Sequence, residues 1–240
     1  RRAEFQVKVA VTAQHRQLLD QVLSLFEIVP DYDLDIMAPN QSLAQISSRA
    51  LAGLDPILMR EQPACVLVHG DTSTTLAAAL AAFYPVGHVE AGLRSGSLDF
   101  PFPEEGNRVL TSRITTWHFC PTDRARDNLL AEGIDAEKIV VTGNTVIDAL
   151  SLAAGRAIPG AAQSLLAEAG NKRLVLLEVH RRESWGRPLE EICDVVSRLV
   201  DRFPELEILF SVHPNPKVRD TVEGILAGKE RVRLLAPLPY

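Results

Sequence analysis

Apolar positions along the chain follow two rhythms, short β-branched runs and longer stretches at helical spacing. Val7–Val11 predicts a strand, and Leu18, Leu19, Val22, Leu23 and Phe26 predict the helix after it. Tyr32–Ile36 reads as a shorter strand, and Ser42 to Met59 as an amphipathic helix. Cys65–His69 is apolar almost throughout, the pattern of a strand buried on both faces of a parallel sheet. Thr72–Tyr84 predicts an alanine-rich helix packed close to that sheet, and Val86–Glu90 the next strand. A helix over Glu104–Arg113 is entered through Pro101 and Pro103. Trp117–Cys120, a helix to Glu132, Ile139–Val141 and a helix from Asn144 complete this half.

Gly155–Gly160, with Pro159, reads as a connection between domains 1–154 and 155–240. Beyond it come a strand at Leu174–Leu177, a helix at Leu189–Phe203 and a strand at Leu206–Val212. A helix at Asn215–Ala227 and a strand at Val232–Leu235 follow. Repeated βα units specify α/β architecture, here two domains with doubly wound parallel sheets. Three strands are few for the second sheet, so that domain is expected to be incomplete. The start at Arg1, without methionine, likewise predicts a piece of a longer protein.

Composition narrows the picture. A net charge of −6 argues against a nucleic-acid or anionic-membrane partner. No apolar run reaches the roughly 18 residues of a membrane span. Three scattered cysteines fit reduced buried thiols in a cytoplasmic protein better than a disulfide framework. Gly-x-Gly, Gly-x-x-x-x-Gly-Lys, Tyr-x-x-x-Lys, His-x-x-x-His and Gly-x-Ser-x-Gly are all missing. Dinucleotide, P-loop, short-chain dehydrogenase, metal and hydrolase readings lose their sequence support. No cofactor and no metal are expected.

What remains is a series of acidic residues. Asp71 and Glu90 each fall where an apolar strand ends, and ligands of open parallel sheets bind outside carboxyl ends. Paired carboxylates there suit acid/base work. Each has a plainer reading. Asp71 or Thr72 could cap the following helix, and Glu90 could pair with Arg94. Glu104 and Glu105 open a helix whose dipole favours acids, with one of them facing the cleft beside Arg108. Gly92 and Gly96 point to close backbone approach to a ligand or to a tight turn. His180-Arg181-Arg182-Glu183 and His213 follow strands of the second domain. They are either solvated turns or the multidentate donors that a diphosphate requires.

Together these runs closely resemble the non-hydrolysing bacterial UDP-N-acetylglucosamine 2-epimerases. The resemblance rests on Thr12-Ala-Gln-His-Arg-Gln17, Val68-His-Gly-Asp-Thr72, Gly87-His-Val-Glu-Ala-Gly-Leu-Arg94 and Pro101-Phe-Pro-Glu-Glu105. It continues through Thr142-Gly-Asn-Thr-Val-Ile-Asp148, His180-Arg-Arg-Glu183 and Val212-His-Pro-Asn-Pro216, in family order. It implies a GT-B-type pair of Rossmann-like domains with the site between them, and a homodimer interconverting UDP-GlcNAc and UDP-ManNAc for cell-envelope polysaccharides. It implies catalytic roles for Asp71, Glu90, Glu104 and His180, and substrate contacts from Arg181 and His213. It also implies a second UDP-GlcNAc as allosteric activator, at Gln14, Gln17, Glu104, Arg181 and His213. A basic residue often found in that site is Asn40 here. The family's first strand is expected before Arg1, its Asp-Ser-Gly-Gly segment after Tyr240, and a few residues between Tyr84 and Pro85. The alternatives are a hydrolysing epimerase, a GT-B glycosyltransferase, or a silent UDP-sugar sensor.

Overall fold

The computed structural model describes residues 4–13, 16–39, 41–179 and 184–237. The chain divides into two compact units, Arg1–Gly155 and Arg156–Tyr240. In the first, β1 (Ala10–Val11) and β2 (Tyr32–Asp33) form a two-stranded parallel sheet. The strands β3 (Val66–His69), β4 (Val86–Val89), β5 (Trp117–Cys120) and β6 (Ile139–Val141) form a second parallel sheet in chain order. Six helices alternate with these strands: α1 (Arg16–Leu25), α2 (Leu43–Glu61), α3 (Ser73–Ala81), α4 (Glu104–Ile114), α5 (Asp123–Ala131) and α6 (Thr145–Ala154). Alternation of this kind makes each unit an α/β, Rossmann-like layer structure.

Local chemistry sets the helix boundaries that place the loops. Ser42 caps α2 in a reciprocal box with Gln45, and Thr72, Thr122 and Asn144 cap α3, α5 and α6 through side-chain oxygens. Alanines at 77 and 79 are buried and let α3 lie close to its neighbours.

The second unit contains α7 (Gly160–Ala169), β7 (Arg173–Glu178), α8 (Arg187–Arg202), β8 (Leu206–Ser211), α9 (Pro216–Leu226) and β9 (Val232–Leu235). Its three strands pair in parallel in chain order. Leu189, Cys193, Val196 and Val200 make a buried stripe on α8 at spacings of four, three and four. They pack with Ile208 and Phe210 of β8 and Val218, Val222 and Leu226 of α9. Buried Glu207 is paired with Lys172 and Arg233, as an enclosed carboxylate requires. Burial pushes the Cys120 and Cys193 thiols up to about 11.

Three expectations change. The helix α7 was not anticipated, because Pro159 and Gly160 masked a run rich in helix formers that begins directly after the proline. β1 and β2 are shorter than their apolar runs, since only two residue pairs sustain their ladder. Burial of β3 on both faces is also wrong. Val68 is buried, but Leu67, which points to the other face, is 67% exposed. Leu176 of β7 is likewise 64% exposed.

Candidate active site

The site begins with strand register. β3 and β4 pair from Val66↔Val86 to His69↔Val89, so Gly70 and Glu90 emerge side by side at neighbouring carboxyl ends. The Gly70 N–H donates to Val89 O at 3.0 Å and continues the ladder one step. Gly70 then turns at φ +73°, a left-handed conformation that a side chain would resist. A Cβ built at Gly70 would stand 3.5 Å from Glu90 Oε2, which places the Glu90 carboxylate against the Asp71 turn.

Asp71 does not cap α3, because Thr72 does so by accepting from Thr75 N at 3.2 Å. The Asp71 carboxylate instead accepts from Arg108 of α4, at 2.9 Å from Nε and 2.6 Å from Nη2. Asn107 of the same helix donates to the Asp71 carbonyl at 2.8 Å. Arg108 therefore ties the end of β3 to the opening turn of α4, where Glu104 stands one helical turn earlier and half-buried.

Glu90 is not paired with Arg94. That arginine is turned away to Glu132, with contacts of 2.6 and 2.9 Å. Glu90 accepts from Asn144 Nδ2 at 3.1 Å, while Asn144 Oδ1 caps α6 by accepting from Val146 N. Glu90 also has φ +66°, uncommon for a residue with a side chain and often found where function requires a fixed geometry.

Glu105 is fully enclosed and structural. It accepts from the Ser95 and Gly96 N–H groups at 3.0 and 3.1 Å and from Arg108 at 3.2 Å. Burial alone would raise its pKa, but these donors outweigh it and hold the carboxyl below its usual value. At Gly92 the backbone closely approaches α5, where Asn128 donates to the Gly92 carbonyl. A cavity of ≈ 390 Å³ lined by Arg94, Glu105, Asn128 and Glu132 borders this network and is lined by none of Asp71, Glu90 or Glu104.

In the second unit His213 follows β8. Its Nδ1 accepts from Asn215 N at 3.1 Å, and its ring lies 5.6 Å from that of Trp185. With Nδ1 accepting, the neutral ring carries its proton on Nε2, which remains a donor. His180, Arg181, Gln14 and Asn40, and the side chain of Gln17, lie outside the described residues.

Asn107, Asn144 and His88 escaped the sequence reading. His88 and Asn107 lie close in sequence to acids already singled out, and Asn144 lies in a run that carries the family resemblance. A histidine between apolar residues of a predicted central strand was the one signal that could have found His88.

Among the described residues no group of three His, Cys, Asp or Glu side chains could hold a metal ion. No described helix is long and apolar enough to cross a membrane.

Comparison with known proteins points to one family. A family model described as UDP-N-acetylglucosamine 2-epimerase matches residues 1–240. The UDP-N-acetylglucosamine 2-epimerase of Salmonella typhimurium is 51% identical over 245 residues, a match covering 98% of this chain and 65% of that protein. The chain thus spans just under two-thirds of the length of such curated relatives. The structure of UDP-GlcNAc 2-epimerase from Neisseria meningitidis bound to UDP-GlcNAc superposes with a TM-score of 0.89 at 45% identity. That match covers 98% of this chain and 66% of the other. A Listeria monocytogenes structure described as a putative UDP-N-acetylglucosamine 2-epimerase gives 0.91 at 46% identity, covering 98% and 62%. With its carboxylate-bearing strand ends in place and its whole length matched, the chain belongs to the UDP-N-acetylglucosamine 2-epimerase family.

Proposed function

We propose that the whole protein interconverts UDP-GlcNAc and UDP-ManNAc by inversion at C2 of the sugar, with the nucleotide retained. The observation that carries this reading is the placement of Asp71 and Glu90 past the ends of adjacent parallel strands, held by Arg108 and Asn144. C2–H has no neighbouring carbonyl, so a carboxylate cannot remove it directly. Cleavage of the C1–O bond, with its electron pair leaving on UDP, gives C1 cationic character and acidifies C2–H. A carboxylate then takes the proton and a C1=C2 glycal forms. Protonation at C2 from the opposite face and return of a UDP oxygen to C1 complete the inversion without change of oxidation state. The reaction needs acid/base groups serving both faces and donors for the departing diphosphate.

In this reading Asp71, Glu90 and Glu104 handle the proton. The family resemblance assigns His180 to the same chemistry and Arg181 and His213 to the diphosphate. It also assigns Gln14, Gln17, Glu104, Arg181 and His213 to a second, activating UDP-GlcNAc. A homodimer of GT-B type and a role in cell-envelope polysaccharide synthesis belong to the same proposal.

The test is incubation of the whole protein with UDP-GlcNAc in deuterated water, followed by NMR. Deuterium at C2 and a product still bearing UDP are expected. Asp71→Asn, Glu90→Gln and Glu104→Gln should each slow C2 exchange about 100-fold or more. Near-normal exchange in all three variants would remove the proposal.

A further inference from the structure

Three consecutive carbonyls at the end of β3 each accept a hydrogen bond from a side chain on a different element. Thr75 Oγ1 of α3 donates to His69 O at 2.7 Å, and Asn107 Nδ2 of α4 to Asp71 O at 2.8 Å. Between them His88 Nε2 of β4 meets Gly70 O at 2.7 Å. A carbonyl only accepts, so His88 is the donor and carries its proton on Nε2. The residue is 1% exposed, and its Nδ1 has no partner among the described residues.

An imidazole enclosed in a strand loses its hydration, and an apolar side chain would fill the same place without that cost. Among the described residues the one hydrogen bond of the His88 side chain is to the peptide whose rotation decides where Asp71 leaves the sheet. His118 is a natural contrast. It is the register partner of His88 on β5 and equally buried, yet neither ring nitrogen has a partner among the described residues. Burial of a histidine in this sheet therefore does not by itself create a bond to the turn.

We infer that His88 is a positioning residue for the proposed epimerisation: as the neutral Nε2–H tautomer it fixes the Gly70 peptide and thereby aims the Asp71 carboxylate. Arg108 holds that carboxylate from one side, and His88 sets the backbone from which it projects. Small displacements of a reacting group are costly, because proton transfer needs near-contact geometry.

The inference rests on the epimerase reading, so the unsubstituted protein is assayed first for C2 exchange. His88→Leu is then expected to lower kcat about 100-fold with KM changed less than about threefold. Glutamine can place an amide donor near the Nε2 position and asparagine is too short. His88→Gln should therefore recover to within about tenfold of the unsubstituted enzyme while His88→Asn stays low. His118→Leu should keep kcat within about threefold. Normal kcat in His88→Leu, or equal rates in the Gln and Asn variants, would overturn the inference. If His88→Leu does not fold, the Gln and Asn pair decides. If the unsubstituted protein shows no exchange, the epimerase reading fails, and nitrogen NMR of the His88 ring decides the positioning claim. An Nε2–H neutral ring at neutral pH keeps the hydrogen bond to Gly70; an Nδ1–H or charged ring overturns it.

Discussion

Glu104 and Glu105 open the same helix, yet Glu105 is 2% exposed with three donors on its carboxylate, whereas Glu104 is half-buried with no described hydrogen-bond partner. Removing charge therefore has opposite consequences at the two positions. Glu105→Gln leaves Arg108 facing an amide and is expected to cost about 2–3 kcal/mol. Glu104→Gln loses only a dipole contact of less than about 1 kcal/mol. Urea midpoints measure the stabilities, and C2 exchange should move the other way, falling most for Glu104→Gln. Helical spacing alone said that one of the two faces the cleft; the family resemblance selected Glu104. What could not be read was the loop 95–96 folding back to present two N–H groups to Glu105. The same limit applied to Glu90, whose nearest arginine in sequence, Arg94, is engaged by Glu132 at the end of α5, 38 residues further on.

The junction of β4 with α5 depends on a residue that has no side chain. Gly92 lies at φ +84°, and a Cβ there would stand 2.2 Å from Ala125 O. Gly96 has a similar φ, +81°, but a Cβ would meet open space. Gly92→Ala should thus cost about 2–4 kcal/mol, combining backbone strain with a clash against main chain. Gly96→Ala should cost only about 1–2 kcal/mol, from the left-handed conformation alone. Thermal unfolding of the two variants separates the contributions. Strand and helix sites were largely legible because buried elements write their period into the sequence. β5, β6 and β9 have the residues predicted for them. Elements were missed where short-range signals conflicted, as at α7 behind its proline, or where pairing partners limited a ladder, as at β1 and β2.

Stability of the whole molecule should fall in acid through two successive windows. Desolvation lowers the His118 pKa from 6.5 to about 4 and, despite the bond to Gly70, lowers that of His88 as well. The unfolded chain binds these protons first. Stability therefore declines as pH falls below 6.5, by up to about 3 kcal/mol for His118 alone by the time pH 4 is reached. Glu105, held below its ordinary 4.5, adds a second decline below that value for the same reason. Urea unfolding at pH 7, 5.5 and 4 should show this trend, and His118→Leu should flatten its upper part. A midpoint that is constant from pH 7 to 4 would contradict it. At this scale the sequence by itself determined the alternation of strands and helices, the division near Gly155 as an expectation, and the acids at the strand ends. These follow from hydrophobic period and residue type, which are local. Only the tertiary structure decided that Arg108 holds Asp71, that Asn144 holds Glu90, that Glu105 is structural, and that His88 reaches the Gly70 carbonyl. Those partners lie 18 to 54 residues apart, or differ only in which face of a turn is enclosed. Such choices are set by strand register and packing rather than by any property of the residues alone.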